Sequence, residues 1–154
     1  LITYRKADIK DIETLIDLRI DFMKEVMGIK DDQKDVELRK LLFEYFSDLI
    51  PKDEFVAWLA ISEDKVIATS GLSFYKRPPS YKNFEGKVAY IMNMYTLPAY
   101  RGKGVAKALF SKIIEEAKAM GYHYFSLHAT EMGRPIYKKF GFNESDDEMI
   151  LRVK

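Results

Sequence analysis

The chain has 154 residues, 47% of them hydrophobic and 32% charged, the size and balance of one globular domain around one core. Its 25 basic and 24 acidic side chains leave a formal charge of +1, so no global field draws it to nucleic acid or to an anionic membrane surface. Cysteine is absent, which excludes a disulfide framework, a thiolate nucleophile and any sulfur-ligated zinc site and suits a reducing cytoplasm; no stretch reaches the roughly 18 apolar residues of a membrane span.

Ile2 to Lys6 is β-rich and reads as a short first strand. Asp8 can cap a helix that carries Ile12, Leu15, Ile16, Phe22, Met23 and Val26 at helical spacing and stops at Gly28. A polar loop follows. A second helix then aligns Leu38, Leu41, Leu42, Tyr45, Phe46 and Leu49, with Pro51 just beyond its end. Phe55 to Ile61 and Val66 to Tyr75 form a hairpin across Glu63-Asp64-Lys65.

After the loop opened by Pro78-Pro79-Ser80, Val88 to Thr96 is nearly all apolar, as a central strand covered on both faces would be. A helix from about Val105 to Met120 buries Val105, Leu109 and Ile113 and ends at Gly121. Tyr122 to Ala129 is the next strand, Pro135–Phe140 a short helix, and Glu148 to Val153 a last strand. No linker or repeat divides the chain, so residues 1–154 are expected to form a single mixed α/β domain.

Between the apolar strand and the helix lies Arg101-Gly102-Lys103-Gly104-Val105-Ala106. Free amides at a helix N-terminus, with the helix dipole behind them, hold anions, and glycines let a diphosphate approach the main chain. Arg101 and Lys103 add charge, and Lys107 stands one turn into the helix. The bland reading of the same residues is a solvated basic turn. A P-loop would need Gly-Lys followed by Ser or Thr, and a dinucleotide fingerprint a glycine where Lys107 stands; neither fits.

From Met94 onward the chain resembles the GNAT acetyltransferases. Their signature Arg/Gln-x-x-Gly-x-Gly/Ala is met by Arg101, Gly104 and Ala106 after Leu97-Pro98-Ala99-Tyr100. A second family element is met by Tyr137-Lys138-Lys139-Phe140-Gly141-Phe142, and the order of elements extends the resemblance to nearly the whole chain. The resemblance implies a mixed sheet of six or seven strands with helices on both faces and an acyl-CoA cleft between the fourth and fifth strands. It implies acetyl-CoA as cosubstrate, no metal, and direct acetyl transfer to a primary amine on a small molecule or peptide.

It also implies roles for particular residues. The pantetheine arm would pair with the backbone of Tyr95, Thr96 and Leu97, and an amide near Tyr95 would polarise the thioester carbonyl. The pyrophosphate would sit on the amides of Gly102, Lys103, Gly104, Val105 and Ala106, with Arg101 and Lys107 beside it. Tyr137 would protonate the departing thiolate. Thr130 stands where the family often has a cofactor-binding Asn, and Tyr90 where many members carry a Glu as general base. No carboxylate occupies Val88 to Thr96, so the base is not assigned. A chain of this kind without a base is alternatively a silent acyl-CoA-binding or regulatory module.

Tyr137 also reads as amphipathic core, and Asn93, an amide within an apolar strand, as a bulge residue or a pocket residue. His128 is either a satisfied core histidine or a base, and Glu131 a solvated charge or a base. His123 and His128 fall on opposite faces of a strand and are not a metal pair. Little chain follows Phe142, which leaves the far edge of the sheet to a second subunit in a homodimer.

Overall fold

The computed structural model describes residues 1–30, 32–145 and 147–154. Strand β1 (Ile2–Lys6) leads to Asp8, whose side chain accepts the Lys10 amide while Asp11 accepts the Asp8 amide at 2.9 Å, a reciprocal cap. Arg5 fixes that cap from β1 with two bonds of 2.8 Å to Asp11. These bonds hold the Asp11 carboxyl below the usual range against the opposing effect of burial. Helix α1 (Ile12–Met27) then runs to Gly28, whose φ of 68° ends it where the sequence predicts.

Helix α2 (Asp35–Leu49) buries Leu42 and Phe46, and Phe46 stacks on Phe55 at 5.0 Å between ring centres. Leu41, assigned to the same stripe from the sequence, is exposed. The predicted second strand divides at Ala57 into β2 (Phe55–Val56) and β3 (Trp58–Ser62). Glu63 and Asp64 both take positive φ, 50° and 63°, the two-residue turn that matches strand twist, and lead into β4 (Lys65–Lys76). β5 (Lys87–Thr96), α3 (Val105–Ala119), β6 (Phe125–Leu127) and α4 (Arg134–Lys139) complete the elements.

Among the described residues the sheet has six strands in the order β1-β3-β4-β5-β6, with β2 paired to β4. Every pairing is antiparallel except β5 with β6. Helices α1 and α2 cover one face, around Leu15, Ile16, Phe46 and Leu59. Helices α3 and α4 cover the other, around Phe110, Ile113, Leu72 and Ile91.

Two expectations need correction. The predicted strand Tyr122–Ala129 is only Phe125–Leu127, because pairing with β5 extends from Ala89 to Ile91 and no further. Glu148–Val153 is not a strand; Met149, Ile150, Leu151 and Val153 are all exposed. An apolar run with high β-propensity expresses fitness for a half-buried surface, and it supplies no neighbour to pair with.

One irregularity sets the site. Between the pairs Thr69↔Tyr95 and Gly71↔Met92, β5 has one residue more than β4. Asn93, at φ 57°, sits in this bulge. An inserted residue reverses the alternation of side chains. Met92 accordingly packs toward α1 and α2, whereas Met94 packs with the α3 side.

Candidate active site

β5 and β6 run together only through Ala89↔Phe125, Tyr90↔Ser126 and Ile91↔Leu127. β5 then continues to Thr96, and among the described residues its edge from Met92 onward has no strand beside it. The gap is a cleft of about 380 Å³ between Phe22 and Glu25 of α1, Met94, Tyr95 and Thr96 of β5, and Thr130–Met132 past β6. Phe22 lies against Tyr95 at 5.9 Å between ring centres, which gives the cleft an aromatic wall.

The strand runs out of this cleft into the glycine turn. Gly102 and Gly104 have φ of 77° and 78°, the left-handed region that L side chains avoid, and nothing stands within 4 Å of where a Cβ would be. The first α3 amide bonded back into the turn is Ala108, to Gly104 at 3.1 Å. The amides of Val105, Ala106 and Lys107 therefore face out of the helix end, and among the described residues no side chain caps them. Open amides at a helix N-terminus are an arrangement able to accept an anion.

Arg101 is already committed. Its Nε donates to the Thr96 carbonyl at 2.9 Å, its Nη2 to both Glu25 oxygens at 3.0 and 2.8 Å, and its guanidinium stacks over Tyr95 at 5.5 Å. It ties the end of β5 to α1. Lys103 lies over the Tyr100 ring at 5.4 Å, and Lys107 is exposed. The Leu97 amide donates to Ile67 and its carbonyl accepts from Tyr100, both at 2.9 Å. The Thr130 hydroxyl accepts the Gly133 amide at 3.2 Å at the entrance to α4.

Tyr137 is 8% exposed on α4, with its ring near Phe110 at 5.2 Å. Its hydroxyl lies over Gly133, where a Cβ would come within 2.6 Å of it. Among the described residues that hydroxyl has no hydrogen-bond partner, and burial pushes its pKa up. The ring lines a groove of about 370 Å³ along the outer edge of β6, with Phe125, Leu127 and Arg134.

At the closed end of the gap a second set of side chains converges on the α1–α2 face. The Tyr90 hydroxyl is 2.5 Å from His128 Nδ1, and His128 Nε2 is bonded to Glu148. A carboxylate at Nε2 fixes the proton there, so Nδ1 accepts from the Tyr90 O–H. Burial raises the Tyr90 pKa, with Glu148 and Tyr75 adding to the rise and Arg19 opposing it. Arg19 of α1 donates to Asn93 Oδ1 at 2.5 Å.

Both the cleft and the turn lie within residues 17–142, which match the acetyltransferase (GNAT) family model. This chain belongs to the GNAT family. A crystal structure of a predicted acetyltransferase with acetyl-CoA from Clostridium acetobutylicum is similar to this GNAT chain at TM-score 0.87 and 37% identity, over 99% of this chain and 96% of that one. A GCN5-related N-acetyltransferase from Ralstonia eutropha JMP134 shares the fold at TM-score 0.89 and 24% identity, over 99% of both chains. Among curated relatives, the glucosamine 6-phosphate N-acetyltransferase of Trypanosoma brucei brucei is 30% identical over 73 residues, 47% of this chain and 50% of that protein. The matched stretch thus spans about half the length of that relative. The uncharacterized N-acetyltransferase YycN of Bacillus subtilis (strain 168) is 28% identical over 116 residues, 70% of each chain.

Of the residues singled out in this GNAT chain from its sequence, Tyr95, Thr96, Arg101 and Thr130 line one cleft. Gly102 to Lys107 form the turn and first helical turn beyond it, and Tyr137 lines the neighbouring groove. Asn93 is the bulge residue, one of its two expected characters, and its side chain accepts from Arg19. Glu131 is a solvated charge, its side chain 96% exposed and 3.9 Å from Arg134. Sequence reasoning missed Arg19 and Glu148. Nothing local marks either, because each reaches its partner across at least twenty residues of chain, 74 for Arg19 to Asn93 and 20 for His128 to Glu148.

Proposed function

We propose that this chain is an acetyl-CoA-dependent N-acetyltransferase that moves the acetyl group to a primary amine of a small molecule or peptide by direct attack in a ternary complex. The observation that carries this reading is the gap between β5 and β6, which runs from an unpaired strand edge into the open amides of the Gly102–Gly104 turn. An extended arm ending in a diphosphate suits that path. Its main-chain half would lie along Tyr95 and Thr96, and its phosphates on the amides of residues 102–106. The Leu97 amide is bonded to the Ile67 carbonyl, so Leu97 would border the arm by packing. Thr130, holding the start of α4, and Lys107, at the open end of α3, border the same path.

An amine with a pKa near 10.4 is neutral in only about one molecule in a thousand at neutral pH, so a proton acceptor speeds the reaction. The Tyr90–His128–Glu148 chain supplies one. The ammonium proton passes to the Tyr90 oxygen as the Tyr90 proton passes to His128 Nδ1, and Glu148 stabilises the resulting imidazolium through Nε2. The neutral nitrogen attacks the thioester carbonyl, whose developing oxyanion is met by a β5 amide near Tyr95. The carbon–sulfur bond breaks as Tyr137, kept protonated by its raised pKa, gives its proton to the thiolate, and the second proton lost from the attacking nitrogen returns to the Tyr137 oxygen to restore the phenol. No cysteine is present to form an acyl-enzyme, which favours the direct route.

The test is release of free CoA from acetyl-CoA across a panel of polyamines, amino acids, aminoglycosides and peptide N-termini, with acetyl-CoA binding measured in parallel by calorimetry. Turnover with any member supports the proposal. Tight binding with no turnover across the panel would convert the reading to a silent acyl-CoA-binding module, which the position of Tyr137 outside the main cleft also favours.

A further inference from the structure

We infer that the acceptor amine carries an anionic group, a carboxylate or a phosphate near the amino group, and that Arg19 of α1 binds it. The inference deepens the proposed activity and rests on the acceptor lying beside Tyr90.

Four other arginines are paired with carboxylates, Arg5 with Asp11, Arg39 with Asp17, Arg101 with Glu25 and Arg134 with Glu144, and the exposed Arg77 donates to the Tyr75 hydroxyl. Arg19 is different. It is half-buried, and among the described residues no carboxylate lies within ion-pair distance of it. Its hydrogen-bond partner is the neutral Asn93 side chain at 2.5 Å, and the ionisable groups close enough to influence it are the phenols of Tyr45 and Tyr90. Burial pushes its pKa down, the mark of a cation stripped of water without compensation.

A guanidinium presents several N–H donors in a planar fork, and one bond to Asn93 leaves most of them unused. Holding such a cation half-desolvated is costly unless something of opposite charge completes it. The fold goes to some length to place it. Asn93 is 4% exposed and kept in the left-handed region at φ 57°, a strained state for a non-glycine residue, at the point where it reaches Arg19. Arg19 thus lies in the α1–α2 layer beside the Tyr90 chain, where β5 and β6 begin to part. An oxyanion on Arg19 and an amine at the Tyr90 hydroxyl would belong to one small molecule. Arg19 would orient that molecule without touching the proton path, the use for which a planar fork is suited.

Calorimetry on the protein saturated with CoA tests this without any turnover, using matched probes: β-alanine against its methyl ester, and O-phosphoethanolamine against ethanolamine. The anionic member of at least one pair should bind roughly tenfold to a hundredfold more tightly, as expected for charge-assisted hydrogen bonds. The favoured pair identifies carboxylate or phosphate. Arg19→Gln, which keeps a donor for Asn93, should abolish the preference, Arg19→Lys should retain part of it, and Lys65→Gln, at the exposed start of β4, should leave it intact. Equal affinity within both pairs, no binding by any of the four probes, or a preference that survives Arg19→Gln would overturn the inference. Anion-selective binding through Arg19 with no acetyl transfer to any amine would instead overturn the proposed activity and leave the binding site standing.

Discussion

At the open end of the gap between β5 and β6 the polar surface is main chain, drawn from the consecutive residues Gly102 to Lys107. At the closed end it is side chain, drawn from α1, β5, the residues after β6 and the C-terminal segment. The first kind of site depends on backbone conformation and tolerates changes in neighbouring side chains. The second depends on tertiary packing that brings distant residues together, and each member is separately removable. Substitutions at the closed end should therefore act on turnover, and those at the open end on acetyl-CoA affinity.

The largest effect is expected at Tyr137. Tyr137→Phe keeps the ring against Phe110 and removes only the hydroxyl, so kcat should fall roughly tenfold to a thousandfold with little change in KM for acetyl-CoA. Gly133→Ala attacks the same group indirectly, because its Cβ would stand 2.6 Å from that hydroxyl. It should reproduce much of the loss in kcat while leaving acetyl-CoA binding in place. Steady-state kinetics with melting temperature alongside decides; if Tyr137→Phe turns over like the parent, the phenol is core and not the acid.

Next in size is the proton chain. His128→Gln should lower kcat/KM for the amine by roughly tenfold to a hundredfold. Glu148→Gln leaves the imidazole in place and should cost less. Parent-like kcat/KM in a folded His128→Gln would mean that water carries the proton.

The same division explains what the sequence could reveal. The glycine turn was legible because a left-handed backbone favours glycine at Gly102 and Gly104, whatever the rest of the fold does. The helices α1 and α3 were legible from their apolar spacing, and Gly28 from its stop position. The extent of β6 was not, since where a strand ends depends on where its neighbour turns away. The contact between Arg19 and Asn93 was hidden for a related reason: it spans 74 residues of chain and depends on the bulge in β5. Glu148 was assigned to a strand and found in an irregular segment, bonded to a histidine that had two open readings.

At the open end, Gly104→Ala should weaken acetyl-CoA binding by roughly tenfold, because a left-handed alanine costs about 1–2 kcal/mol and the turn relaxes away from the geometry that aims its amides. Open space around Gly104 means the cost is conformational, with no side-chain clash to unfold the chain. Calorimetry should show the affinity loss in a protein whose kcat at saturating acetyl-CoA is near the parent value.

The smallest effect concerns the charges beside that turn, and it separates two roles that the sequence motif merges. Arg101 is bonded to Glu25 and to the Thr96 carbonyl, so its charge is largely spent inside the protein. Lys103 and Lys107 are exposed, and their attraction for a diphosphate is screened by salt. Arg101→Gln should therefore lower the melting temperature and leave the preference for acetyl-CoA over an acetyl-pantetheine lacking the diphosphate in place. Lys103→Gln combined with Lys107→Gln should do the opposite, weakening acetyl-CoA binding by only a few-fold, as exposed charges allow, with no loss of stability. The parent's preference should shrink as salt is raised, approaching that of the double lysine variant, because the main-chain contribution does not depend on ionic strength in the same degree. Binding titrations at low and high salt measure both quantities on the same samples. A large, salt-sensitive loss of affinity in Arg101→Gln at unchanged stability would place Arg101 on the phosphates and show that its bonds to Glu25 give way when the ligand arrives.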